Sequence, residues 1–259
     1  MFNKKLLVKK FAEKEKPLVD LSTWAYRTYG SACNTMTEIP QSGIGYLNSV
    51  RGTSMYRMIG GITDYGFNDP PYPCKKLVSI DASGWDTSEV TSMEEMFNDC
   101  RALTLIRGIA NWNTSKVTTI QKMFGVSSYP CGNITSLDLS NWDTSSVTNM
   151  NQAFNGLTNL VTIDLSNFDT TNVTNMDSMF YSLNYSFKYL IIASPVFKFE
   201  LKKSDALVSL LVDYKILVPQ SLISTYQNAQ YWSDYASKFD AIENYTITRS
   251  NGQVTVTPK

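Results

Sequence analysis

The chain has 259 residues with 43% hydrophobic content, enough for a sizeable core, and no run approaches the roughly 18 consecutive apolar residues of a membrane span. Lys plus Arg and Asp plus Glu both number 23, and charged residues are only 18% of the total, which removes any global electrostatic reason to expect nucleic acid or an anionic membrane as partner. Histidine is absent, so the commonest near-neutral general base is missing from any catalytic scheme.

Residues 1–16 read as a basic arm: Lys4, Lys5, Lys9 and Lys10 flank a short Leu6-Leu7-Val8 island. That is not a secretory signal, and export by the general secretory route is not expected. Residues 17–76 read as a divergent N-terminal cap. Pro17 to Trp24 is a worn copy of Leu160 to Phe168, and Val50 with Thr53 to Ile59 resembles Val90 with Thr91 to Phe97. Gly60, Gly61, Gly66, Pro70, Pro71 and Pro73 mark turns and a projecting loop. Tyr65, Phe67 and Tyr72 on this loop are candidate partner contacts, because loops held by a regular scaffold often carry recognition. Tyr129 joins them from a second, smaller insertion, Ser127 to Pro130.

From Leu77 to Phe180 one phrase is written four times. A large aromatic falls at Trp85, Trp112, Trp142 and Phe168, a valine at Val90, Val117, Val147 and Val173, and a phenylalanine at Phe97, Phe124, Phe154 and Phe180. The large aromatics are spaced 27, 30 and 26 residues apart. A period of that size predicts an α/β solenoid over 77–200, a stack of short strands and short helices in which each copy buries its apolar residues against its neighbours.

Within a copy, Ile163 and Leu165 alternate with Asp164, so the aspartate points outward from a strand. Taking Gly108 as a one-residue insertion, the equivalents are Asp81, Arg107 and Asp138, an exposed column with about 5 Å between members. Neighbouring carboxylates could bind a cation or share acid/base work. Their recurrence on an open face favours structural or solvated aspartates, with a partner-binding patch as the functional alternative. Asp86-Thr87-Ser88 and its counterparts suit Asx turns. Ser92 with Glu95, Asn149 with Gln152, Thr119 and Asn175 have the chemistry of helix caps, so a short helix is predicted in each copy. Its stripe of Met93, Met96 and their counterparts reads as core rather than a copper or haem site. Cys74, Cys100 and Cys131 share a register that Leu157 occupies in the fourth copy, which predicts a buried thiol column rather than zinc ligands or disulfides. Cys33 stands outside the pattern. No metal or cofactor is implied.

Residues 201–259 read as a C-terminal cap. Tyr189 to Ile192, Phe197 to Phe199 and Lys215 to Val218 are strand candidates, and Leu207 to Leu211 a short helix. A longer helix is predicted from Ser221 to Phe239, with Leu222, Tyr226, Ala229 and Trp232 inward. Tyr245 to Thr248 and Val254 to Thr257 alternate around Asn251-Gly252, a strong hairpin signal. The hairpin either caps the stack or pairs with a second copy through its edge, giving a homo-oligomer.

The phrase Leu137-Asp-Leu-Ser-Asn-Trp-Asp-Thr-Ser-Ser-Val-Thr-Asn-Met150 followed by Phe154 resembles the BspA-like leucine-rich repeats of bacterial surface proteins, strongly over 77–180 and weakly over 17–76. Tyr214 to Ala236 also resembles the end cap of repeat proteins from gut bacteria, prophages and phages. The resemblance implies a leucine-rich-repeat-like scaffold, non-enzymatic, holding a protein partner or a surface glycan. With no export signal seen, the expected setting is a phage virion, as a tail, fibre or head-decoration component. The alternatives are a bacterial cell-surface adhesin and, more remotely, an aspartate-dependent hydrolase.

Overall fold

The computed structural model describes residues 18–21, 24–25, 36–40, 43, 46–47, 51–59, 74–126, 129–131, 133–181, 183, 186–194, 213–229 and 232–259. In chain order the strands are β1 (Leu18–Asp20), β2 (Arg51–Ser54), β3 (Ser79–Asp81), β4 (Leu105–Arg107), β5 (Gly125–Val126), β6 (Tyr129–Pro130), β7 (Ser136–Asp138), β8 (Thr162–Asp164), β9 (Tyr189–Ile191), β10 (Lys215–Val218), β11 (Phe239–Ala241), β12 (Tyr245–Ser250) and β13 (Gln253–Pro258). An α-helix, α1 (Ile223–Asn228), lies between β10 and β11, and among the described residues of the N-terminal segment 24–25, 43 and 46–47 are also helical.

The α/β solenoid expected from the repeats is corrected on two counts. The strands gather in separate sheets rather than one continuous ladder: a five-stranded parallel sheet in the order β11-β10-β9-β8-β7, parallel pairs β1-β2 and β3-β4, and antiparallel pairs β5-β6 and β12-β13. The predicted helix in each copy does not form, and no described residue from 77 to 194 is α-helical.

The reason lies in where the amides go, since each backbone N–H makes one good hydrogen bond. Met93, Glu95 and Phe97 donate to the carbonyls of Thr119, Gln121 and Met123 in the next copy, at 3.0, 3.0 and 2.8 Å. Ile120, Lys122 and Phe124 do the same to Asn149, Asn151 and Ala153. Donors spent between copies cannot close α-helical turns within one. The would-be caps act locally instead: Thr119 Oγ1 accepts from Gln121 N, and Asn149 Oδ1 from Asn151 N. Each copy then reverses through a residue at positive φ, namely Glu95 at 51°, Lys122 at 49°, Gln152 at 54° and Ser178 at 56°. Arg57, at 49°, marks the same point in the divergent N-terminal segment.

The core follows the repeat register. Trp85, Trp112, Trp142 and Phe168 form one file with ring centroids 5.7, 6.0 and 6.4 Å apart. Phe97, Phe124, Phe154 and Phe180 form another at 5.6, 6.0 and 5.4 Å. Such ring pairs contribute about 0.5–1.5 kcal/mol each beyond their buried area. The methionine stripe is buried from Met93 to Met179, and Cys74, Cys100 and Cys131 are buried thiols. Burial pushes the Cys131 thiol far above its ordinary range, which keeps it protonated and unreactive.

The break between β4 and β7 has a local cause. Gly108, the inserted residue, takes φ 80°, and a Cβ there would sit 2.4 Å from the Ser83 Cα. The chain leaves β4 through a 3-10 turn at Ile109–Asn111, so the ladder is interrupted at that copy. The C-terminal region also departs from expectation. The long helix expected from Ser221 to Phe239 is, among the described residues, a 3-10 helix at Gln220–Leu222, α1, a second 3-10 helix at Ser233–Lys238, and then a strand. Phe239 is drawn into pairing with Ile216 as β11 extends the sheet, while Tyr226 and Trp232 still face inward. The strand predicted at 197–199 and the helix at 207–211 lie outside the described residues.

Candidate functional site

Two polar faces of the molecule could meet a partner. The first is the strand face that carries the aspartate column. In the parallel registers Asp81 lies opposite Arg107 and Asp138 opposite Asp164. Asp81 and Arg107 are exposed, but Asp138 and Asp164 are buried, at 4% and 0% relative exposure. The expectation of one exposed column is corrected for these two residues: the β12-β13 hairpin folds back over them. The Asn251-Gly252 turn forms as predicted, with φ of 54° and 80°, yet the hairpin covers the face of the sheet rather than closing its end.

Its docking is specific. Val254 is buried with Ile191 and Leu217, and Tyr189, Tyr245, Ile247 and Val256 surround this second small core. Arg249 donates to Asp164 Oδ2 through Nε at 2.7 Å and places Nη2 2.6 Å from the same oxygen. Asp164 Oδ1 meanwhile accepts from Ser166. The Gly252 carbonyl accepts the Asp138 N–H at 2.9 Å, filling the place left by the interrupted ladder. A Cβ on Gly252 would approach the Ile106 carbonyl oxygen to 2.6 Å, so only glycine fits this seat. Asp81, at the open end of the face, is held below the usual carboxylate range by its hydrogen bonds from Ser83.

At the other end of the hairpin Tyr245 donates to Asp240 Oδ2 at 2.8 Å. Burial, reinforced by Asp240, pushes the Tyr245 phenol up to about 12. An unfolded tyrosine ionises near pH ~10. The folded value is the higher one, so the stabilisation is complete below pH ~10 and is lost as pH rises toward ~12. Wild-type protein should therefore lose stability more steeply across that alkaline window than Tyr245→Phe, measured by denaturant unfolding; equal slopes would remove Tyr245 from the docking contact.

The second face was not singled out from the sequence. Thr91, Thr118, Thr148 and Thr174 follow the recurring valines and are all exposed. Each donates its N–H to the carbonyl of the preceding threonine, Thr53 in the first case, at 2.8–3.1 Å. Each also donates its hydroxyl to that same carbonyl, at 3.3, 3.1, 3.2 and 3.1 Å. With the hydroxyl proton committed, every Thr oxygen is turned into an acceptor at a fixed place. The adjoining column is tied back in the same way: Lys116 Nζ meets Glu89 at 2.7 Å, Ser146 Oγ donates to the Ser115 carbonyl and Asn172 Nδ2 to the Ser145 carbonyl. The signal was present in the sequence as a Val-Thr pair recurring in register, its valine buried or partly buried and its threonine outward.

Of the aromatic candidates, Tyr65, Phe67 and Tyr72 lie outside the described residues. Tyr129 is in β6, paired with Val126 of β5. The structure thus brings Asp138 and Asp164 together beneath Arg249 and leaves Asp81 and Arg107 as an exposed pair beyond the hairpin tip. Among the described residues no cluster of three or more metal-ligating side chains is found, and no helix is long and apolar enough to cross a membrane.

Residues 53–187 match the model of a family described as "Mycoplasma protein of unknown function, DUF285". No curated protein matches the chain.

Proposed function

Because this chain belongs to the DUF285 family, whose description carries no activity, we propose from its surface chemistry that it is a non-enzymatic interaction protein that holds a macromolecular partner against the threonine face. The observation that carries this reading is the column of Thr91, Thr118, Thr148 and Thr174, each doubly bonded to the copy before it. Side chains already fixed in one geometry lose little further freedom on binding, which lowers one of the costs of forming a polar interface. The column offers oxygen acceptors at the strand spacing of about 4.8 Å, suited to a partner whose donors repeat at that spacing. Of the carboxylates an acid/base mechanism would draw on, Asp164 is engaged through both oxygens, with Arg249 and Ser166.

For the setting, the likeness of Tyr214 to Ala236 to end caps of phage and gut-bacterial repeat proteins favours a virion component. The likeness of the repeat phrase to BspA-like surface proteins favours, as second reading, a bacterial adhesin. Constant copy number in density-purified particles from the native source would support the first; recovery on washed cells with none in particles would support the second.

The face itself is tested by substitution. Thr118→Lys and Thr148→Lys replace exposed side chains and each remove one hydroxyl bond, so unfolding should stay within about 1.5 kcal/mol of wild type, while partner capture from the native source falls by about tenfold or more. Undiminished capture by both variants would rule this face out.

A further inference from the structure

At the interrupted ladder the structure holds an open-mouthed cavity of about 510 Å³, bounded by the 3-10 turn after β4, the loop after β7 and the hairpin tip. Its walls include Asp138, Arg249, Asn111, Asn141 and Asn251. The Asp138 side chain is only 5% exposed. Its Oδ1 accepts from Ser140 N at 3.1 Å and Ser140 Oγ at 2.7 Å, and Arg249 Nε stands 4.0 Å away. Its Oδ2 accepts no hydrogen bond from any described residue. Asp164, at the same register one copy on, has both oxygens engaged. Asp138 Oδ2 is not among the fully buried unpartnered side-chain atoms, so this oxygen of a largely buried carboxylate opens to solvent in the cavity, a space large enough for a ligand.

The rest of the wall narrows the ligand class. The side-chain amides of Asn111, Asn141 and Asn251 make no hydrogen bond among the described residues, and each offers donors and an acceptor. Two carboxylates, Asp138 and Asp164, face one guanidinium, so an anion is disfavoured. A metal cation would find one unengaged carboxylate oxygen with Arg249 close by, far short of the six or more oxygens a hard cation gathers. A neutral ligand with adjacent hydroxyls satisfies every group: a hydroxyl donates to Asp138 Oδ2, and the amides bond the neighbouring oxygens. The geometry points to a binding site for a neutral pyranose unit of a glycan, with Asp138 Oδ2 as the principal acceptor. This inference rests on reading the chain as an interaction protein, and it adds a second contact, separate from the threonine face. No aromatic ring lines the cavity, so affinity for a single sugar is weak and strength would come from a repeated glycan.

The test is ligand-observed saturation-transfer NMR on the full chain with the methyl glycosides of galactose, glucose, mannose and N-acetylglucosamine, and with inorganic phosphate and calcium as competitors. At least one glycoside should receive saturation. Asp138→Asn, which keeps the size of the side chain, should weaken that binding about tenfold. Asn141→Leu, on an exposed loop, should weaken it without touching the hairpin, so a loss seen in both variants is not a folding artefact. No transfer to any glycoside, unchanged transfer in both variants, or displacement of the sugar by phosphate or calcium would each overturn the assignment. Partner capture by Asp138→Asn is measured in parallel. Sugar binding lost with capture intact separates this site from the threonine face, and undiminished capture by Thr118→Lys, which would rule out that face, leaves the sugar result standing.

Discussion

Trp142→Ala is expected to cost about 3–5 kcal/mol of stability, among the largest effects of any single truncation in the chain. Trp142 is fully buried in the centre of its file, between Trp112 at 6.0 Å and Phe168 at 6.4 Å. Its Nε1 donates to the Ile109 carbonyl at 2.8 Å, in the 3-10 turn where the ladder is interrupted. Alanine would open a cavity and remove two ring contacts and one buried hydrogen bond together. For a chain of this length that loss corresponds to a fall in Tm of the order of 10 °C. Trp142→Phe should cost clearly less, about 1–2 kcal/mol, because the next copy already seats a phenylalanine at this register and the main deficit is the hydrogen bond. Denaturant unfolding of both variants checks the pair; a cost below about 1 kcal/mol for alanine would mean that the aromatic file is not a principal source of stability.

The second large effect is expected from Arg249→Ala. Its guanidinium is partly exposed, but its partner Asp164 is fully buried, and removing one member of such a pair typically costs about 3–5 kcal/mol. Here there is an escape, because the hairpin can lift and admit water to Asp164. The loss should therefore appear first as local opening. Amides of β12 and β13, and the Asp138 N–H that donates to Gly252, should exchange with solvent at least about tenfold faster, while amides of β8 and β9 keep more of their protection. The double variant Asp164→Leu with Arg249→Leu should recover much of the loss, since matched apolar replacement of a buried pair is often neutral or better. Exchange unchanged in Arg249→Ala would show that the apolar contacts around Val254 hold the hairpin alone.

These two variants also mark what could be read from the chain and what could not. The register of Trp142 was legible because it recurs with Val147 and Phe154 in fixed order, and burial follows from a repeated apolar position whatever the backbone between does. The Asn251-Gly252 turn was legible because it is local chemistry. The short helices were misread because Ser92 and Asn149 have cap-like spacing, whereas the deciding interaction is an amide of Met93 or Met150 reaching the following copy, a contact local patterns do not contain. Arg249 was not legible as a clamp at all: its partner is 85 residues away in sequence. Gly108 was seen as an insertion, but not that it would interrupt the ladder and leave a seat for the hairpin tip. The outward threonines were in view as part of the repeated phrase, and only their double bonds to the preceding copy distinguish them from ordinary solvated side chains.

The most direct measurement is site-specific photo-crosslinking in the native source, with the photoreactive residue placed at Thr118 or Thr148 on the threonine face and, as control, at Val78, exposed near β3. A discrete partner adduct from the two threonine positions, and none from Val78, is the expected result. Adducts from Val78 with none from Thr118 or Thr148 would contradict the assignment of the threonine face as the surface that holds the partner.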